Sequence, residues 1–211
     1  WDWRRKLGFG DDDIIYFSPR SYTQPYYNID VVIAAAARVK EQEPRARFLF
    51  SGYEGDPGPF RAKAAAAGID DVMAMVGRLA HDEFAIALRA CDVFISVPSV
   101  DATAVSLLEA MSTATGVIIS SLPSSLEWIE DGVSGLVVAP RDESGLAAAM
   151  LRLGQDDEFR KSCGAAALQT AREMVGFEQN MLIVDDIFKH LVHGEAVPVG
   201  ARLVDLERPG R

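Results

Sequence analysis

The regular alternation of short apolar runs with longer amphipathic segments constrains the fold of this chain more than any other feature. The apolar runs are rich in β-branched and aromatic residues and lie at 14–17, 47–50, 72–76, 93–96, 117–119 and 135–138. Apolar residues recur at helical spacing over 29–42, 59–67, 81–90, 104–112, 126–130, 143–153, 156–174 and 178–191. Six strands that alternate with helices predict an α/β fold, with a doubly wound, mainly parallel sheet and helices on both faces.

The overall charge narrows the classes of function. The 211 residues carry a formal net charge of −10, whereas a protein that coats nucleic acid is normally basic. No run approaches the roughly 18 apolar residues that a membrane span needs, and the first residues do not form a secretory signal. Cys91 and Cys163 match no metal-binding spacing, so we expect buried or free thiols in a reducing compartment. These features predict an acidic cytoplasmic protein that does not bind nucleic acid.

Glycine, serine and arginine cluster where four of the strands end. The segments are 18–20 (Ser-Pro-Arg), 51–55 (Ser-Gly-Tyr-Glu-Gly), 77–79 (Gly-Arg-Leu) and 98–101 (Pro-Ser-Val-Asp). Ligands of doubly wound sheets bind beyond the carboxyl ends of the strands. Open amides, hydroxyls and a fixed cation suit a phosphate group, so we predict a phosphate-bearing ligand at this edge. The 51–55 loop matches no nucleotide-binding fingerprint and is more simply a strand-to-helix turn.

Three charged residues at this edge are candidates for ligand binding. Asp101 lies just before a helix predicted to start near Ala104, and Glu109 lies inside that helix. Free amides at a helix start favour an anion, and Glu109 is placed to accept hydrogen bonds from ribose hydroxyls. Arg20 follows the first strand, and its guanidinium suits a diphosphate. The alternatives are that Asp101 caps the helix and that Glu109 and Arg20 are surface charges.

Other catalytic chemistries lack the residues that they need. His81 follows the third strand and is interpreted as the start of a helix, while His190 and His193 lie near the end of the last helix. None of these has a metal-ligating partner at a recognisable spacing. Ser96 and Ser99 lack the Gly-x-Ser-x-Gly context of a nucleophile elbow. We therefore expect neither a metal site nor a serine nucleophile.

Several segments carry a more specific pattern. Residues 91–99 (CDVFISVPS) lead to Asp101, then seven residues, then Glu109-Ala110-Met111. Residues 127–138 (EWIEDGVSGLVV) and 140–142 (PRD) follow. In this order the segments resemble the C-terminal domain of the retaining glycosyltransferases of family four, the group 1 glycosyltransferases, which carry a Glu-x7-Glu motif followed by Ala-Met. Their GT-B architecture has two facing Rossmann-like domains, and the resemblance spans about residues 10–190.

The resemblance implies a role for each motif residue. Arg20 would bind the diphosphate of the donor, Asp101 would hydrogen-bond the sugar hydroxyls, and Glu109 would hold the ribose. The other implied donor-binding residues are Gly52 for close approach of the phosphates, Arg78 and Leu79 near the nucleobase, and Ala102, Thr103, Ala104 and Val105 facing the sugar and phosphate. The resemblance implies no cofactor and no metal.

The resemblance also implies an organisation and partners. Residues 1–12 would be a linker from a missing N-terminal domain, 13–191 a Rossmann-like nucleotide-sugar-binding domain, and 192–211 a C-terminal tail. The partners would be a nucleoside-diphosphate sugar and the N-terminal domain that holds the acceptor. Transfer would retain the anomeric configuration and serve polysaccharide or glycoconjugate synthesis. The chain alone would bind donor but turn over little, and any contact with the inner face of the membrane would come through the missing half.

Three positions depart from the motifs of the family. Asp101 replaces the first Glu and is one methylene shorter, while Tyr27 stands at a lysine and Asn28 at a glycine. One of the two cations expected at the diphosphate is therefore missing. Some relatives pair the aspartate motif with an Arg…Pro-x-Tyr-Asn start like the one here, which favours a divergent active branch. The alternatives are a non-catalytic nucleotide-binding or scaffold domain with an eroded diphosphate site, or another GT-B enzyme such as an epimerase.

Overall fold

Six parallel strands form one sheet in the part of the chain that the structure describes. The computed structural model describes residues 2–52 and 55–193. The strands are β1 (Ile14–Ser18), β2 (Ala46–Ser51), β3 (Met73–Val76), β4 (Val93–Ser96), β5 (Gly116–Ser120) and β6 (Leu136–Val138). Their order is β3-β2-β1-β4-β5-β6, and every neighbouring pair is parallel. This is the order of a doubly wound Rossmann-like sheet, which confirms the predicted fold class.

The helices follow the strands as the periodicity predicts, with a few differences. They are α1 (Asp2–Lys6), α2 (Ile29–Gln42), α3 (Gly58–Ala66), α4 (His81–Ala90), α5 (Val105–Ser112), α6 (Pro123–Leu126), α7 (Glu143–Gln155), α8 (Asp157–Met174) and α9 (Phe177–His193). A 3₁₀ turn spans Pro25–Tyr27. The helix predicted at 126–130 instead begins at Pro123, because proline favours the first position of a helix. Sequence analysis predicts neither α1 nor the 3₁₀ turn.

Helices cover both faces of the sheet. Tyr16 of β1 belongs to a buried apolar cluster with residues of α2, α3 and α7. Its neighbour Phe17 packs on Phe84 of α4, with ring centroids 5.7 Å apart. Since successive strand residues point to opposite faces, α4 lies on the side of the sheet away from α2 and α7. A strand covered on both sides must be apolar throughout, which is why β1 is buried along its whole length.

The contacts divide the chain into two compact units, one ending at Ala171 and the other beginning at Arg172. In the first unit, Arg4 of α1 pairs with Asp92 at 2.7 Å and donates to the carbonyl oxygen of Ala90 at 2.7 Å. Its side chain is only 9% exposed. Residues 2–12 therefore contact this unit, and the predicted division into a linker, a domain that ends at 191 and a tail stays a prediction. Of the predicted tail at 192–211, the first two residues end α9, and the rest lies outside the described residues.

The structure also bears on the cysteines and on membrane segments. Cys91 and Cys163 are free, buried thiols, as predicted. Burial raises the pKa of both, which keeps them protonated and unreactive at neutral pH. Among the described residues, no helix is long and apolar enough to cross a membrane.

Candidate functional site

A cleft opens at the carboxyl edge of the sheet, where the strand order reverses between β1 and β4. Its volume is about 420 Å³. The lining residues are Pro19, Arg20, Ser51, Gly52, Arg78, Leu79, His81, Phe84, Val105, Ser106 and Glu109. Ligands of doubly wound sheets bind at such a switch point. The cleft brings together six of the residues predicted to bind the ligand: Arg20, Gly52, Arg78, Leu79, Val105 and Glu109.

Arg20 follows β1 and is fixed on three sides. Its Nε donates to the hydroxyl of Ser96, the last residue of β4, at 2.9 Å. Its Nη2 lies 3.1 Å from Oδ2 of Asp101, and its guanidinium carbon lies 5.2 Å from the centre of the Tyr27 ring. The side chain is only 12% exposed, so Arg20 is not the surface arginine of the alternative interpretation.

The contact between Arg20 and Asp101 is an ion pair without a well-aligned hydrogen bond. Both Nη2 of Arg20 and Oδ2 of Asp101 are buried, and neither has a hydrogen-bond partner among the described residues. The two opposite charges compensate each other at 3.1 Å and hold the two side chains together.

Asp101 begins an open loop that leads into α5. Its carbonyl oxygen accepts a hydrogen bond from the hydroxyl of Ser124 in α6 at 3.0 Å. The residue that caps α5 is Ala104, and no side chain caps the helix, so Asp101 is not a helix cap. Within residues 2–52 and 55–193, no acceptor binds the backbone N–H groups of residues 102–106. These amides, with the positive end of the helix dipole, are suited to bind an anion.

Glu109 lies one turn inside α5, on the wall of the cleft. Its side chain is 28% exposed, and its Oε1 lies 3.4 Å from Nδ1 of His81 at the start of α4. Burial raises the pKa of the Glu109 carboxyl, and the charge of His81 opposes this shift. Glu109 is thus a partly buried acid that faces the cleft and not a solvated surface charge.

Gly52 has a local reason to be glycine that the sequence did not reveal. A Cβ atom at Gly52 would lie 1.8 Å from Cε1 of Tyr22. Its N–H is already used, because it donates to the carbonyl oxygen of Val76 at 3.2 Å. The absence of a side chain at Gly52 therefore accommodates the ring of Tyr22, and the amide is not free for a phosphate.

Two further parts of the cleft differ in how well the sequence predicts them. Arg78 and Leu79 line the cleft beyond β3 as predicted, and Arg78 is exposed without an ion-pair partner among the described residues. His81 begins α4 as predicted, but its place in the cleft was missed, as was the contact of Ser96 with Arg20. The signal for Ser96 is a hydroxyl at the end of an otherwise apolar strand.

No group of three metal-ligating side chains occurs among the described residues.

Comparison with known sequences gives a family match over most of the chain. The family described as "Glycosyl transferases group 1" matches residues 1–170. A D-inositol 3-phosphate glycosyltransferase of Stackebrandtia nassauensis is 33% identical over 179 residues, which cover 80% of this chain and 40% of that protein. A phosphatidyl-myo-inositol mannosyltransferase of Mycolicibacterium smegmatis is 28% identical over 148 residues, which cover 69% of this chain and 37% of that protein. The chain thus spans less than half the length of these relatives.

Solved structures match the fold. Sucrose-phosphate synthase of Thermosynechococcus elongatus superposes with a TM-score of 0.81 at 21% identity, over 92% of this chain and 49% of that chain. HepE of Anabaena, solved with UDP and glucose, superposes with a TM-score of 0.79 at 16% identity, over 89% of this chain and 51% of that chain. At such low identity, these similarities establish the fold alone.

Proposed function

The chain belongs to the group 1 glycosyltransferases, and from this premise we propose that it supplies the donor-binding half of a GT-B glycosyltransferase. The donor would be a nucleoside-diphosphate sugar, and the sugar would be transferred with retention of its anomeric configuration. One observation carries the proposal: Arg20, paired with Asp101, and Glu109 meet in one cleft beside the uncapped start of α5. The UDP bound to the HepE structure, which shares this fold, is consistent with a nucleotide donor.

The spacing between the start of α5 and Glu109 is suited to the spacing between the diphosphate and the ribose of a donor. Val105 begins the helix and Glu109 lies four residues further on, which is about 6 Å along the axis. A ribose bound by Glu109 would therefore place its diphosphate near the free amides of residues 102–106 and near Arg20. The sugar beyond the diphosphate would then reach Asp101, whose side chain is 22% exposed.

The chemical contribution of this half would be electrostatic. When the bond between the anomeric carbon and the diphosphate breaks, the electron pair leaves with the diphosphate oxygen. The acceptor oxygen then bonds to the same face of the sugar, and the proton of its hydroxyl passes to the departing diphosphate. The guanidinium of Arg20 and the amides before α5 are fixed before the reaction, so they would stabilise the developing negative charge without reorganising. We propose that they do so without a metal cofactor.

The acceptor and the other half of the protein are the remaining proposed partners, and they belong to the part of the family fold that this chain does not span. The acceptor would bind to the N-terminal half of a GT-B protein, and this chain alone would bind donor with little turnover. The relatives named for inositol phosphates support a role in glycoconjugate synthesis. We place the protein in the cytoplasm, with any contact to the inner membrane face made by the other half.

Calorimetric titration with UDP, GDP and ADP, with and without magnesium, tests the proposal. We expect the chain to prefer one of the three, with an affinity that does not depend on magnesium. Arg20→Ala and Glu109→Ala should each abolish or strongly weaken this binding. Arg38→Ala is the matched control, because Arg38 is a half-exposed arginine that pairs with Glu143 outside the cleft. If a folded sample binds none of the three, the donor site is refuted and the non-catalytic scaffold, with a cation lost at Tyr27, becomes the better explanation.

A further inference from the structure

Asn28 is a buried polar residue in an unusual backbone conformation. It lies between the 3₁₀ turn and α2, with φ 53° and ψ 39°, in the left-handed region that glycine and asparagine tolerate best. It is only 1% exposed. This explains how Asn28 can stand where the resembling family has glycine, and it gives the side chain a fixed direction.

The amide of Asn28 holds the segment that follows β4. Its Nδ2 donates to the carbonyl oxygen of Val97 at 2.9 Å and to the hydroxyl of Ser99 at 2.8 Å. The Ser99 hydroxyl lies 3.2 Å from Oδ1 of the same amide and can donate to it. A backbone bond reinforces this link, because the N–H of Ser99 donates to the carbonyl oxygen of Tyr26 at 2.8 Å. The loop before α2 and the loop before α5 are therefore fastened together.

Arg141 selects the orientation of that amide. Its Nη1 donates to Oδ1 of Asn28 at 3.0 Å, and its Nη2 donates to Oδ2 of Asp30 at 2.9 Å. A guanidinium has only donors, so the amide oxygen must face Arg141 and the amide nitrogen must face Val97. Arg141 itself has φ 63°, a conformation that is unfavourable for an arginine and persists only where contacts support it.

Both segments that Asn28 joins also contact Arg20. Tyr27, directly before Asn28, stacks on the guanidinium of Arg20. Asp101, two residues after Ser99, pairs with the same guanidinium. We propose that Asn28, oriented by Arg141, is a positioning residue for the diphosphate end of the donor site, acting through Tyr27 and Asp101 on Arg20. This inference rests on the proposed function, since it assigns to Arg20 the binding of a diphosphate.

The contacts that fix Arg20 lower the entropy cost of binding a ligand. An arginine on a mobile loop must be ordered when the ligand binds, which costs conformational entropy. Here the ring, the carboxylate and the hydroxyl of Ser96 order Arg20 beforehand. The chain would thus have one cation fewer than the family pattern, but the remaining cation, Arg20, is held in place by Asn28 and its neighbours.

Asn28→Gly is the most direct test, because glycine accepts the backbone conformation and removes only the side chain. The N–H of Ser99 reports on the link between the loops, and its hydrogen exchange can be followed by NMR. We expect its exchange to become about tenfold faster, the effect of losing roughly one net hydrogen bond. Arg141→Gln should speed the exchange at Ser99 by a smaller factor. Arg141→Lys, which keeps a charged donor, should speed it less than Arg141→Gln. Arg38→Gln is the control, because Arg38 also joins α2 to the start of α7, through Ser144, but does not touch Asn28.

Ligand binding distinguishes a positioning role from a merely structural one. With the nucleoside diphosphate that the wild-type chain binds best, chosen from UDP, GDP and ADP, Asn28→Gly should weaken binding about tenfold. Binding of the matching nucleoside, which lacks the phosphates, should stay within a factor of two. Equal losses of affinity for the nucleoside diphosphate and the nucleoside would overturn the positioning role. An unchanged exchange rate at Ser99 would also overturn it, and so would an unchanged affinity for the diphosphate. Absence of nucleotide binding by the wild-type chain would overturn the proposed function, and this role with it.

Discussion

Replacing Asp101 with asparagine tests how the ion pair with Arg20 acts on the donor. A diphosphate that takes Arg20 as its counter-ion must share the guanidinium with Asp101 and lie close to the negative charge of that carboxylate. The two side chains are 3.1 Å apart. Asp101→Asn removes the charge but keeps the size and an oxygen that can still contact Arg20, while Ser96 and Tyr27 also hold this side chain. We therefore expect Asp101→Asn to bind the nucleoside diphosphate more tightly than the wild-type chain.

The expected gain can be estimated from the geometry. Two unit charges 3.1 Å apart interact by about 5 kcal/mol at an effective dielectric constant of about 20. The cost of desolvating the two groups and the solvent that reaches the 22% exposed carboxylate offset most of this, and partly exposed pairs retain about 1 kcal/mol or less. If the ligand recovers about 1 kcal/mol when the competing charge is removed, Kd falls about fivefold.

Parallel titrations with a nucleoside diphosphate and with the corresponding nucleotide sugar measure the effect. For the nucleotide sugar we expect no gain, because Asp101→Asn also weakens the proposed hydrogen bonds to the sugar hydroxyls. Asp71→Asn serves as the control, since Asp71 is an exposed carboxylate paired with Lys40. Weaker binding of the nucleoside diphosphate by Asp101→Asn would refute the reasoning, because it would mean that Asp101 orients Arg20 more than it competes with the ligand.

Three further substitutions test other parts of the structure. Tyr27→Leu removes the ring that lies 5.2 Å from the Arg20 guanidinium and should weaken nucleoside-diphosphate binding about three- to fivefold in a titration, whereas Tyr27→Phe should leave it unchanged. Glu109→Gln should raise the thermal midpoint at pH values above the raised pKa of this carboxyl, because burial penalises only the ionised form. The gain should disappear as the pH falls through that pKa, and a gain at all pH values would contradict the assignment. Arg4→Met should lower the free energy of unfolding in urea by about 3 kcal/mol, because the hydrogen bonds of a nearly buried guanidinium to Asp92 and to the carbonyl oxygen of Ala90 are lost. Arg5→Met, which breaks an exposed pair, should have almost no effect.

The strands and their ligand-binding edge could be predicted because local patterns determine them. A strand covered by helices on both faces must be apolar along its whole length, so β1, β4 and β5 stand out as uninterrupted runs. The parallel order then brings all the strand ends to one edge. Arg20 and Glu109 meet there because each follows a strand, directly or within the next helix.

The docking of the first helix could not be predicted, because its cause lies far away in the sequence. Residues 1–6 (WDWRRK) combine two tryptophans with four charged residues, and the family resemblance suggests a linker there. Arg4 is buried because distant groups accept its hydrogen bonds, namely the carboxylate of Asp92, 88 residues further on, and the carbonyl oxygen of Ala90, both at 2.7 Å. The contact of Gly52 with Tyr22 could not be predicted for the same reason, since only the folded chain brings that ring against it.

The departures from the family motif at Tyr27 and Asp101 are coupled through Arg20, and this coupling can be measured. A glutamate at 101 would extend about 1.5 Å further than aspartate and could not pair at 3.1 Å with a guanidinium held against the Tyr27 ring without moving it. A lysine at 27 would supply a second cation but would remove the ring that supports Arg20. Asp101→Glu and Tyr27→Lys should therefore each weaken nucleoside-diphosphate binding, while the double variant should bind better than the sum of the single losses predicts. A coupling of about 1 kcal/mol in this double-mutant cycle is expected for residues that share one partner. Strictly additive losses would show instead that the two positions do not act through a shared contact with Arg20.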